Sequence, residues 1–177
     1  MPEHQQRSAA ALLALVYGVL VLYASLYPFE AWRWPPGQPL WALLALPRSA
    51  YHLPFDLVSN LLGYMPLAAL LTLALRRPGT RVRLAWLQAL LLCSALSFVC
   101  EVMQQFVPAR VPSAEDWVLN TAGGALGAGA GLALQALGLV SRWHALRQRW
   151  FTGDGAIALA LLVMWPVGLL FPAPVPL

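Results

Sequence analysis

Three short patterns in the chain set a carboxylate three or four residues before an amide: Asp56 before Asn60, Glu101 before Gln104 and Gln105, and Asp116 before Asn120. On a helix such spacing puts both groups on one face. The first face also takes in Gly63, with Tyr64 at its edge; the second continues through Ser97 and Ser94; the third contains Gly123, Gly127 and Gly131. Grouped acceptors of this kind can hold a polar headgroup, exchange protons with a substrate, or bind a hard divalent cation such as Mg²⁺ or Ca²⁺ in preference to zinc. No phosphate-cradling loop accompanies them, because the glycines of the third pattern repeat every four residues and lack a Lys-Ser/Thr ending. No Ser-His-Asp or Cys-His arrangement is legible either. Cys93 and Cys100 lie seven residues apart in one apolar run, about 10 Å on a helix and beyond disulfide reach, which predicts two small buried side chains.

The elements that must carry these groups are set by composition. Of 177 residues, 60% are hydrophobic and only 10% charged, too few ionisable side chains to coat a water-facing surface. The excess of 11 basic over 7 acidic residues is not clustered with aromatics, so nucleic acid is not the partner. The lipid bilayer is. Apolar runs predict an all-α integral membrane bundle of five transmembrane helices in a single domain, at residues 9–26, 55–75, 84–107, 117–140 and 155–171. The first is read as a retained anchor, since no small-x-small cleavage site follows it.

Arginines fix the expected orientation. Arg7, the four between the second and third runs (Arg76, Arg77, Arg81, Arg83) and the three after the fourth (Arg142, Arg147, Arg149) make eight, against Arg33, Arg48 and Arg110 in the alternate loops. The positive-inside rule then puts the N-terminus in the cytoplasm and the C-terminus outside. The second and fourth runs begin outside and the third ends there, so Asp56, Glu101 and Asp116 fall at one depth in the outer leaflet. The long outer loop, 28–54, carries Trp32, Trp34 and Trp41 and an apolar segment, 39–46, too short to cross a bilayer. It reads as an interfacial anchor or as a lid over a site.

A carboxylate at the bilayer centre costs about 2.5 to 3.5 kcal/mol. Amides pairing across helices would explain Asn60, Asn120 and Gln105 as interhelical glue. Asp56 and Asp116 stand near helix N-termini, where a carboxylate is favourable, and Ser113 is positioned to cap the fourth helix with Asp116 three residues on. Glu101 resists that account, because it lies near a helix C-terminus. Arg110, in the loop joining the third and fourth runs, is the candidate counter-charge for the acidic groups or an anionic ligand, with Arg48 second and His52 beside the same mouth.

In order, the chain reads Leu26-Tyr27-Pro28-Phe29, then Asp56-x3-Asn60-x3-Tyr64-x-Pro66-Leu67, then Glu101-x2-Gln104, then Ser113-x2-Asp116-x3-Asn120-x2-Gly123-x3-Gly127. This series resembles the VanZ-like family, departing from it at Ala68, where a glycine is expected. The resemblance implies a small multi-pass protein of the bacterial cytoplasmic membrane, in a family named for a member that raises teicoplanin resistance, and it implies no reaction or cofactor. The expected ligand-binding residues are therefore Asp56, Asn60, Tyr64, Glu101, Gln104, Gln105, Arg110, Ser113, Asp116 and Asn120, with no resident metal. The expected partner is an envelope lipid or cell-wall precursor headgroup. A membrane enzyme working on a lipid-linked substrate, and a structural or transport subunit, are the alternatives.

Overall fold

The computed structural model describes residues 3–37, 39–48, 54–76, 79 and 81–150, and among these residues it is all-helical. Four long helices, α1 (Glu3–Leu26), α2 (Pro54–Leu75), α3 (Val82–Gln104) and α4 (Ala114–Ala136), are followed by a short α5 (Leu139–Trp150). The segment between α1 and α2 contains a single 3₁₀ turn, Leu40–Leu44. Helices α1, α2 and α3 are long and apolar enough to cross a membrane. Helix α4 has the same 23-residue length as α3, about 34 Å, but glycine replaces larger apolar residues along it and Glu115 and Asp116 occupy its first turn.

The expected fourth run, 117–140, is corrected at both ends. The Ser113 cap starts α4 at Ala114, and Gly138, at φ 67°, stops it at Ala136. The Gly138 N–H reaches back to the Gln135 carbonyl, satisfying an end that would otherwise hang free. Residues 141–150, expected in the basic loop after the fourth run, are helical instead and belong to α5. The expected fifth span, 155–171, and His52 lie outside the described residues. Helix α3 ends at Gln104, so Val107 packs, fully buried, in the loop beyond.

Helix α4 is the centre of the bundle. A methyl group on Gly123 or Gly127 would collide with the Leu61 or Met65 carbonyl oxygen of α2, and one on Gly131 would sit 2.9 Å from the Ala69 carbonyl oxygen. The register rises together on both chains, 61 to 123, 65 to 127 and 69 to 131, so α2 and α4 run parallel with their backbones in contact. Helix α3 runs antiparallel to α4: Cys93 meets Gly124, and the Asn120 amide donates to the Ser97 hydroxyl. Helix α1 joins along α2, where Tyr17 Oη donates to the Gly63 carbonyl at 3.1 Å, a turn before Pro66 interrupts the backbone ladder. The apolar core between them is Val21, Tyr64, Leu67, Ala68, Ala89, Cys93 and Ala128. The consequence is that α2 and α4 begin, and α1 and α3 finish, at one end of the bundle.

Candidate functional site

At that end a capped helix start meets a buried carboxylate. Ser113 Oγ accepts from the N–H groups of Glu115 (3.2 Å) and Asp116 (3.4 Å), the N-cap role its spacing predicts, and donates to Glu115 Oε2 (2.9 Å). In a capping box the third residue would return to the cap's own N–H. Here Glu101 of α3 takes that position: Ser113 N donates to Glu101 Oε2 at 2.8 Å, and Glu101 is 3% exposed. A carboxylate at the C-terminus of its own helix is thereby turned onto the N-terminus of a neighbour, where the macrodipole favours it. The placement that was unfavourable within α3 becomes favourable between α3 and α4.

One turn deeper, Asn120 Nδ2 donates to Ser97 Oγ at 2.9 Å. Beside this pair lies the Tyr64 hydroxyl of α2, with Ser97, Cys100 and Glu101 around it. The Cys100 thiol in turn neighbours Ser25 of α1 as well as Tyr64 and Glu101. Side chains from all four long helices therefore converge on one polar cluster. Two of its atoms are left over: Tyr64 Oη and Asn120 Oδ1 are buried and have no hydrogen-bond partner. Both residues are only 5% exposed. Such atoms cost free energy unless something fills the gap.

Other predicted site residues donate to backbone carbonyls. Arg110 Nε donates to the Tyr27 carbonyl (2.6 Å) and Nη2 to that of Ala24 (2.5 Å), while Gln104 Nε2 donates to that of Ser25 (2.9 Å). Together they satisfy the open carbonyls at the end of α1, where a cation is also electrostatically favoured. Partial burial lowers the Arg110 pKa through desolvation, and an arginine stays charged regardless. These two nitrogens thus give Arg110 a helix-capping role that its place in the sequence did not show. Arg48 is exposed.

Gln105 Nε2 donates to the Leu43 carbonyl at 2.7 Å, holding the 3₁₀ turn. The same outer segment is tied down by Ala114 N to the Pro47 carbonyl (2.8 Å), by Arg33 N to that of Phe106 (2.9 Å), and by an edge-on contact of Trp34 with Phe106. Leu43 is buried while Trp41 and Leu44 face outward. The segment covers the end of the bundle where the cluster sits.

Asp56 is exposed in the first turn of α2 and Asn60 is half-buried a turn later; both stand at the level of the cluster by the α2–α4 register. Asp116 is half-buried, and its charge acts on Glu101. Among the described residues no three His, Cys, Asp or Glu side chains converge as a metal site. Cys93 and Cys100 are buried and free, in accord with their spacing. Sequence reasoning treated Cys100 as inert filling, and it missed Ser25 and the α3–α4 ties made by Trp117 and Thr121. Trp117 Nε1 donates to both the carbonyl and the hydroxyl of Ser94 at 3.1 Å, and Thr121 Oγ1 donates to the same hydroxyl at 3.0 Å. The available signal was Ser94, whose placement on the Glu101 face already implied a polar partner across the helix pair.

A helical membrane bundle with a polar cluster gathered at one end, beneath a pinned aromatic segment, is the class of protein defined so far. The family model described as VanZ/LLP1 matches residues 4–135, three quarters of the chain, and the chain belongs to that family. No curated relative and no solved structure matches it.

Proposed function

We propose that this VanZ-like protein sits in the bacterial cytoplasmic membrane, N-terminus inside, with 155–171 as a further span, and that its polar cluster binds an envelope-lipid or cell-wall-precursor headgroup at the outer leaflet. The observation that carries the reading is the pair of unsatisfied buried atoms, Tyr64 Oη and Asn120 Oδ1, which share Ser97 as a neighbour in the cluster that also holds Glu101. A bundle built only for packing has no use for unfilled acceptors. Helix α4 also contributes to crossing, its polar first turn at the outer interface. Asp56, Asn60 and Asp116, at the same level, line the approach.

The test is glycopeptide susceptibility, teicoplanin first, in cells carrying Glu101→Gln, Asp116→Asn or Tyr64→Phe. The expected result is loss of the phenotype at unchanged membrane levels. Unchanged susceptibility in all three well-expressed variants would refute the reading.

A purely structural role is the second reading, favoured by the hydrogen bonds that engage the side chains of Glu101, Gln104, Gln105 and Arg110 with backbone groups. It predicts that Glu101→Gln leaves susceptibility untouched and alters thermal stability alone. The enzyme reading draws less support, because Asp56 lies on the exposed side of α2 whereas Glu101 is enclosed.

A further inference from the structure

We infer that the group recognised at the Tyr64–Glu101–Asn120 cluster is a primary ammonium; the inference rests on the headgroup-binding reading and narrows it. Three acceptors from three helices belong to this cluster: Tyr64 Oη of α2, the Glu101 carboxylate of α3 that neighbours it, and Asn120 Oδ1 of α4, whose amide is tied to Ser97, another neighbour of Tyr64. The amide orientation is set by its other end, since Nδ2 donates to Ser97. That leaves the carbonyl oxygen facing a place with no donor. A primary ammonium carries three donors and no acceptor, matching three acceptors one to one.

Charge selects in the same direction. Among the described residues, a charge acting on Glu101 is that of another carboxylate, Asp116. The loop guanidinium that could have welcomed a phosphate, Arg110, reaches the carbonyls of Ala24 and Tyr27 instead. An anionic group entering the cluster would meet acceptors and negative charge. A quaternary ammonium would supply charge without N–H donors and leave Asn120 Oδ1 unsatisfied, the loss that makes buried polar sites discriminate strongly.

The ammonium can come from a lipid headgroup or from a free amine, and thermal unfolding of the purified full-length chain in detergent separates them. Phosphatidylethanolamine is expected to raise Tm by about 5 °C at saturation over phosphatidylcholine of the same acyl chains. Tyr64→Phe, which removes a hydroxyl that has no partner, should leave the lipid-free Tm within about 1 °C and abolish the rise; a merely structural tyrosine would show neither. Asn120→Leu should abolish it too. A rise with free ethanolamine alone supports the ammonium and moves the ligand out of the lipid class. Equal rises with both lipids overturn ammonium recognition while headgroup binding survives. A rise with phosphatidylglycerol matching that with phosphatidylethanolamine also overturns it, in favour of a hydroxyl. No rise with any of these lipids or with ethanolamine overturns the inference, while the headgroup-binding reading is decided separately by glycopeptide susceptibility.

Discussion

Helix α4 presents two faces that hold the bundle by opposite means. Toward α2 it offers Gly123, Gly127 and Gly131, and backbone lies on backbone with no side chain between. Toward α3 it offers Ser113, Trp117, Asn120 and Thr121, each hydrogen-bonded to Glu101, Ser94 or Ser97. In a bilayer the lipid tails compete with leucine on equal terms, so helices associate through close packing and polar contacts. This protein separates the two. The glycine seam is fully used by shape, and nothing else fits there; the polar seam contains every unsatisfied atom of the candidate site on α4 and α2, and so has room for a function.

The comparison is broken most severely at the glycine seam. Gly127→Leu puts a branched side chain where even a methyl group overlaps the Met65 carbonyl and Cα. Backbone cannot yield as a flexible side chain would, so the expected loss is at least about 3 kcal/mol, and full-length protein should vanish from the membrane fraction. A stably folded Gly127→Leu variant would show that α2 and α4 are not in backbone contact.

On the polar seam the expected losses are smaller and depend on chemistry. Glu101→Ala leaves the buried Ser113 N–H without an acceptor, a cost of about 1 to 3 kcal/mol. Glu101→Gln retains a carbonyl oxygen in place and should recover most of that loss in detergent unfolding. Ser113→Ala removes the hydroxyl from the cap of α4 while keeping its N–H for Glu101, and should cost about 1 kcal/mol. If Ser113→Ala proved more harmful than Glu101→Ala, the cap and not the interhelical bond would be the anchor of this end.

The two seams were unequally legible in the sequence. A glycine repeat has one meaning in an apolar helix, so the close approach on α4 followed from Gly123, Gly127 and Gly131, although the partner, α2, did not. The polar residues were legible as a set at one depth, because topology and 100° periodicity suffice for that. Their individual partners were not. Arg110 reads equally well as counter-charge, headgroup contact or cap, and only the position of the α1 end, 83 residues away in sequence, decides. Glu101 similarly needs the start of α4 beside it before its burial makes sense. The basic segment 139–150 shows a different limit: arginines announce a membrane side, but helix or loop depends on the positive-φ turn at Gly138. Hydrophobic periodicity, in short, encodes which face a residue occupies, while long-range geometry assigns what it touches.

The finest test uses glycines outside the seam. Gly63 on α2 and Gly129 on α4 have nothing within 4 Å of an added methyl group, in contrast to Gly127 two residues from the latter. Glycine within a helix is less favourable than alanine by about 0.5 to 1 kcal/mol, since it has more backbone freedom to lose. Gly63→Ala and Gly129→Ala should therefore raise the unfolding temperature by about 2 °C each in detergent, while Gly127→Ala lowers it. The paired change at 127 and 129 isolates the seam from helix propensity, because both substitutions alter α4 in the same way and only one meets α2. A destabilising Gly129→Ala would require another surface against that face of α4. Analytical ultracentrifugation of the variant would then distinguish a second copy of the chain, lost on substitution, from a contact made within the monomer.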